Sequence, residues 1–210
     1  MPNLPPIDHR HRIGVICEGN EDYAYFERLT QLHVWDAQYE FCLVNAKSAS
    51  NIPARYQHDF QNNRYELLLV FCDTDKAPYR EYQQIKQKIN RFHDSCAADH
   101  VIIFANPCTM QIILAHFGDA TLKNQSKKTN ASVIAQLTGV ANYDAHDTQI
   151  RAVCQQIFRK SYPDMKVRVQ AMNRPDTEPG STNFGVFLDR FEQSDDRWIA
   201  QLTRMIMGDE

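Results

Sequence analysis

Residues 67–75 read Leu-Leu-Leu-Val-Phe-Cys-Asp-Thr-Asp, an apolar run that stops abruptly at Asp73. A strand that is apolar at every position has no solvent face, so it must be covered on both sides, as the strands of a parallel sheet are. Upstream, residues 12–17 (Arg-Ile-Gly-Val-Ile-Cys) form a second short run rich in β-branched residues, and it ends at Glu18-Gly19, where a turn should begin. Behind that turn, Tyr25, Phe26, Leu29 and Leu32 make a helical stripe, preceded by the polar Asn20-Glu21-Asp22 that suits a helix N-terminus. Residues 38–44 read as a further strand, 51–60 as a less regular helix, 79–92 as a charged helix and 100–104 as a fourth strand running up to Asn106-Pro107. This β-α-β-α-β-α-β alternation predicts an α/β fold, a mainly parallel sheet flanked by helices.

After residue 107 the texture is helical, with apolar patterns over 110–117, 131–137, 148–158, 184–191 and 198–207. Residues 166–171 carry a weak strand-like alternation, and 173–183, with Pro175, Pro179 and Gly180, suit a long loop. The division expected is an α/β core over 12–105 and a helical appendage packed on it over 106–210.

At 210 residues, 43% of them apolar and 23% charged, the chain can bury a substantial core, and disorder is not its default. The first twelve residues lack the apolar stretch of a secretion signal, and no run approaches the roughly 18 apolar residues a membrane span needs. A soluble cytoplasmic protein with no membrane association is expected. Six cysteines are scattered without a Cys-x-x-Cys pair, several inside apolar runs, so they read as reduced structural thiols with no part in zinc or disulfide sites. The net charge of −3 conceals a segregation: residues 1–120 carry −4, 121–175 carry +6 and 176–210 carry −5. A basic middle segment suits a polyanion-binding surface; a solvated helical face, or a patch docked on the acidic parts, gives the same count.

In a parallel α/β sheet, ligands bind outside the carboxyl ends of the strands. Both acidic motifs fall there: Glu18, with Glu21 and Asp22 on the turn that follows, and Asp73 with Asp75. If the chain stays extended through Asp73-Thr74-Asp75, the two aspartates project to the same side. If the two strands are neighbours, at least three carboxylates converge, and like charges so close must raise a pKa or take up a cation, for which Mg²⁺ (or Mn²⁺) with its oxygen ligands is the natural partner. Taken singly, each motif has a plainer reading: Asp-x-Asp as a turn or cap, Glu-Gly as a turn, Glu21 and Asp22 as acids favoured by the helix dipole.

Cys17-Glu18-Gly19, then Tyr25-Phe26, then Cys72-Asp73-Thr74-Asp75 resembles the Toprim pattern of a glutamate after the first strand and Asp-x-Asp after the third. More narrowly, residues 17–26 (Cys-Glu-Gly-Asn-Glu-Asp-Tyr-Ala-Tyr-Phe), Asn106-Pro107-Cys108 with His116-Phe117 further on, and Gly180-Ser181-Thr182-Asn183 resemble the RloB-like Toprim proteins associated with bacterial restriction and phage defence. The resemblance implies Glu18 as general acid/base and Asp73 and Asp75 as holders of the metal. It departs from the pattern at Met110, where a glutamate is expected, at Ile112, where a tryptophan is, and at Glu21-Asp22, which stands for Thr-Glu.

The functional expectation is a metal-dependent nuclease acting on DNA or RNA, with Glu18, Asp73 and Asp75 catalytic and the same residues plus Asp22 on the metal. The rival is a non-catalytic subunit of a defence system that binds nucleic acid or other defence-system proteins, favoured by Met110. A phosphoacceptor receiver needs a lysine after a fifth strand, and a haloacid-type phosphatase needs Asp-x-Asp after the first; neither is present. Among weaker signals, Lys123, Lys127 and Lys128 make a basic loop suited to gripping phosphates or simply to solvation, and Arg151, Arg159 and Lys160 fall on one expected helix. Asn106 can cap the next helix or turn its amide to substrate. Thr182 and Asn183 read as caps, His116 as a core histidine, and His9 and His11 as part of a mobile terminus.

Overall fold

The computed structural model describes residues 10–75 and 79–208. Four strands, β1 (His11–Cys17), β2 (Tyr39–Asn45), β3 (Leu67–Asp73) and β4 (Ile102–Ala105), form one sheet in the order β2-β1-β3-β4, every pair parallel. Helix α1 (Asn20–Gln31) links β1 to β2, α2 (Ile52–Gln61) links β2 to β3, and α3 (Arg80–His93) with the short α4 (Ala98–Val101) leads to β4. The rest is helical: α5 (Met110–Leu114), α6 (Lys127–Thr138), α7 (Asp147–Cys154), α8 (Tyr162–Ala171), α9 (Phe184–Phe191) and α10 (Arg197–Met207). This is the α/β, Toprim-like arrangement expected from the sequence, a parallel sheet flanked by helices with a helical C-terminal half. Among the described residues, no helix is long and apolar enough to cross a membrane.

The strand order explains where a site can form. From β1 the chain steps one way to β2, then returns past β1 to β3 and continues to β4, so the direction of winding reverses between β1 and β3. Such a reversal splays the connections apart at the carboxyl ends and opens a crevice there. The register places Cys17 opposite Phe71, so Glu18 and Asp73 emerge side by side.

Both faces of the sheet are covered, as the unbroken apolar run of β3 requires. On one face Phe26 of α1 packs against Phe41 and Phe71 of the sheet and against Phe184 and Phe191 of α9, with ring centroids 5.8–6.3 Å apart. The other face carries α2 and α3, whose Tyr56, Phe60 and Phe92 form a second aromatic group. The core is continuous across both halves of the chain, from Ile13 to Ile206. Thr182 of the 173–183 loop makes an antiparallel bridge with Ala105, its hydroxyl donates to the Phe104 carbonyl at 2.5 Å, and the Asn183 amide spans both Ile102 and Phe104, so this loop extends the sheet edge at β4. Thr182 also accepts from the Phe184 N–H, the first of α9, at 3.0 Å, while the N-cap position itself is Asn183.

Four local expectations change. Residues 166–171 belong to α8: Pro163 sits in its first turn, Met165 and Val169 are buried one turn apart, and Val167 is 67% exposed, so the apparent alternation is one buried and one solvated valine on a helix. Arg151 lies on α7, which ends at Cys154, whereas Arg159 and Lys160 lie on a separate 3₁₀ turn. Lys127 and Lys128 are not in a loop; Ser126 caps α6 by accepting from the Thr129 N–H at 3.3 Å, which makes them its first two residues. His11 is part of β1, and His9 lies outside the described residues.

His116 is a core histidine, as expected. The Ser161 hydroxyl donates to the Phe158 carbonyl at 2.8 Å and therefore accepts from His116 Nδ1, which leaves Nε2 to accept from the Tyr25 hydroxyl at 3.1 Å. Burial holds the ring neutral, its pKa pushed down to about 3. All six cysteines are free, and four of them are buried.

Gly14 is required by close approach. A Cβ there would lie 2.4 Å from Tyr65 Cδ2 and 2.8 Å from Leu68 Cδ1. Gly14→Ala is expected to destabilise the protein by about 1–3 kcal/mol. Equilibrium denaturation checks this, and an unchanged midpoint would show that Tyr65 moves aside freely.

Candidate functional site

The crevice at the carboxyl ends of β1 and β3 opens as a cavity of about 590 Å³ lined by Glu18, Asp22, Asp73, Lys127 and Ile150, among others. Three strand ends and the N-terminal turns of three helices build it, so most of its groups are placed by backbone that the core fixes.

Glu18 follows β1, its N–H continuing the ladder to the Phe71 carbonyl, and its carboxylate turns to accept from the Asp73 N–H at 3.1 Å. Asp73, the last residue of β3, accepts from both the N–H (2.7 Å) and the hydroxyl (3.0 Å) of Thr109, which lies just beyond β4. Asp22 stands in the first turn of α1. One of its oxygens accepts from the Gly19 N–H at 2.8 Å, half of a capping box, and the other accepts from the Thr109 hydroxyl. A single residue position therefore joins the acids of β3 and α1.

The electrostatics follow from burial. Glu18 is pushed up to about 8, first by desolvation and then by the charges of Asp22 and Asp75. Asp22 is pushed up to about 6, again chiefly by desolvation, against the stabilising hydrogen bond from Thr109. Asp73 is raised well above the usual carboxylate range by burial and by Asp22 and Glu18. Three acids that resist ionisation in one crevice are a site short of positive charge.

Part of that charge comes from the helical half. Lys127, first residue of α6, reaches in to donate to Glu21 at 2.7 Å, and Tyr143 donates to the other Glu21 oxygen at 2.5 Å. Although burial opposes its charge, Lys127 has its pKa raised by its surroundings, Cys108, Glu21 and Asp73 among them, and by its hydrogen bond to Glu21. A lysine at a helix N-terminus opposes the helix dipole, so its position reflects the acids it faces. At the rim, Asn20 accepts from Asn45 (2.8 Å) and donates to Asp147 (3.0 Å), linking β2, α1 and α7.

The remaining expected site residues are placed as follows. The chain is not extended through Asp73-Thr74-Asp75: Asp75 has φ 60°, a left-handed turn, and its N–H donates to the Pro107 carbonyl at 3.1 Å, so the two aspartates are not aligned by strand alternation. The charge of Asp75 still acts on Glu18. Asn106 is 2% exposed and spends its amide on the Asp176 carbonyl at 2.7 Å, bracing the 173–183 loop; Thr109, not Asn106, is the N-cap of α5. Lys123 and Lys128 are exposed to solvent. Met110 is wholly buried. Among the described residues, no group of three His, Cys, Asp or Glu side chains is already arranged as a metal cage.

Sequence reasoning missed Thr109 and Tyr143, and it placed Glu21 among the acids at the end of β1 without finding its pairing with Lys127. Thr109 was open to detection, since it follows the carboxyl end of the fourth strand, where the same placement rule applies. Tyr143 lies in an irregular segment and carries no such signal. Neither the family models, the curated proteins nor the solved structures contain a match to this chain.

Proposed function

We propose that this protein is a Toprim-type, metal-dependent phosphodiesterase, a nuclease acting on DNA or RNA in an RloB-like phage-defence or restriction setting. The observation that carries the reading is the convergence of Glu18, Asp22 and Asp73 at the switch point of a parallel sheet, each with a pKa raised by burial and like charge. Such a site ionises fully only where a cation replaces its protons, and that cation would also meet the phosphate of a polyanionic backbone. The donor set is all carboxylate oxygen, which fits hard Mg²⁺ or Mn²⁺. Asp73 and Asp22 would hold the ion with Glu18 beside them, and Asp75, whose charge acts on Glu18, would be the remaining carboxylate. Bound there, the metal would neutralise the acids and polarise a phosphoryl oxygen.

In the metal-free protein Glu18 keeps its proton at neutral pH, its pKa pushed up to about 8, and general acid/base work is the role the Toprim resemblance implies for it. Lys127 and Glu21 keep the opposite wall neutral as a pair. The cleavage assay that tests this uses single- and double-stranded DNA, structured RNA and transfer RNA, with Mg²⁺ and Mn²⁺ titrated. Cleavage is expected with metal and not with chelator. A folded protein inactive on every substrate would favour the second reading, a non-catalytic nucleic-acid or protein-binding subunit, which the buried Met110 at the expected glutamate position supports.

Exposed Lys123 and Lys128 flank the α6 end of the site and are expected to meet phosphates. Replacing both with alanine should weaken binding equally for all sequences and flatten its salt dependence, with the log–log slope falling by about 1–2. An unchanged slope would assign them to solvation.

A further inference from the structure

We propose that Thr109 is a positioning residue that sets the separation of Asp22 and Asp73 so that the two carboxylates receive one divalent cation together; this rests on the metal-dependent reading above. Thr109 is wholly buried, and both of its donors face the acids: the N–H donates to Asp73, and the single hydroxyl hydrogen is shared between Asp73 and Asp22, both within hydrogen-bond distance of it. Among the described residues, no other one hydrogen-bonds to both carboxylates. Two like charges held near one hydroxyl would otherwise separate, because each would gain by moving toward solvent.

The segment that carries Thr109 is itself held from behind. Asn106 N–H donates to Ser181 at 2.9 Å, Gly180 N–H returns a bond to Asn106 at 3.1 Å, and the Asn106 side chain holds the Asp176 carbonyl. The Asp176 carboxylate is in turn fixed by the Tyr82 hydroxyl at 3.0 Å and Lys86 at 3.3 Å, both on α3. From in front, the Pro107 carbonyl accepts from Asp75 and the Ala105 carbonyl accepts from Thr74 at 2.9 Å. The hydroxyl is thus referenced to α3 and to the ends of β3 and β4. Thr109 need not touch a substrate; it acts through the two aspartates.

Outer partners that orient metal-binding carboxylates are typically worth 10–100-fold in metal affinity. The test is Mn²⁺ binding by the full chain, followed by calorimetry and by loss of the free-ion paramagnetic resonance signal, for wild type, Thr109→Val, Thr109→Ala and Thr109→Ser. Thr109→Val removes the hydroxyl while keeping the side-chain volume, and is expected to weaken Mn²⁺ binding about 10–100-fold. Thr109→Ser keeps the hydroxyl and should bind within about threefold of wild type, a rescue that a packing role would not produce, since serine lacks the methyl group. If the valine variant does not fold, the alanine variant carries the comparison, with its melting temperature read beside its affinity. Wild-type affinity in a folded valine or alanine variant would overturn the positioning role alone. Failure of the wild type to bind Mn²⁺ would instead overturn the metal-dependent reading, and the positioning role with it.

Discussion

Asp73→Asn is expected to abolish metal-dependent cleavage, lowering turnover by at least about 10³-fold, and to weaken Mg²⁺ and Mn²⁺ binding in parallel. An amide is a poor ligand for a hard cation, and here it would also disturb the Thr109 contacts that Asp73 accepts. Glu18→Gln should behave differently. Among the described residues its carboxylate accepts one hydrogen bond, from the Asp73 N–H, and a glutamine oxygen can keep that bond. If Glu18 moves protons, the glutamine variant loses about 10²–10⁴-fold in turnover while metal binding changes little. Single-turnover kinetics beside direct metal titration separate the two patterns. Equal losses of affinity in both variants would make Glu18 a metal ligand and leave the proton carrier to be found elsewhere.

The second large effect is on stability. Glu18 rises from 4.5 to about 8 and Asp22 from 3.8 to about 6 on folding. Between the unfolded and folded values the folded state binds the extra proton, so the metal-free protein loses stability as pH rises through that window, in Glu18's case up to about pH 8. His116, held neutral with a pKa near 3, has the opposite sign and costs stability as pH falls below 6.5. Comparing wild type with Glu18→Gln cancels His116. From pH 6.5 to 8 the variant should gain on wild type by roughly 1.4 kcal/mol per pH unit at most. Mg²⁺, replacing the proton, should raise the wild-type melting temperature more at pH 8 than at pH 6. Denaturation curves that run parallel across this range for the two proteins would show that Glu18 carries no proton in the fold.

The placement of Glu18 and Asp73 was legible in the sequence because it depends on coarse features: two apolar strands, the helix between them, and acids at their carboxyl ends. Chain reversal between β1 and β3 then makes those ends neighbours. What the sequence hid depends on single dihedrals and on contacts between distant segments. Asp-x-Asp looked like an aligned pair, but a left-handed residue at Asp75 breaks the alternation. Residues 166–171 looked like a strand because Val167 and Val169 are two apart, and only tertiary packing decides that one of them faces water. Lys127 looked like one of three loop lysines, whereas the Ser126 cap starts a helix that aims it at Glu21. Glu21 and Asp22 carried a sound local explanation as first-turn acids, and for Asp22 that explanation holds, since it caps Gly19 with one oxygen and faces Asp73 through Thr109 with the other.

The central claim is that the carboxyl ends of β1 and β3 form a cation-requiring site. Its most direct test is a calorimetric titration of the full chain with Mn²⁺ at pH 8, repeated on Asp22→Asn and Asp73→Asn. Saturable binding by the wild type that is lost in both variants is the predicted result. A folded wild type that takes up no Mn²⁺, or that takes it up equally well without Asp22 and Asp73, would contradict it.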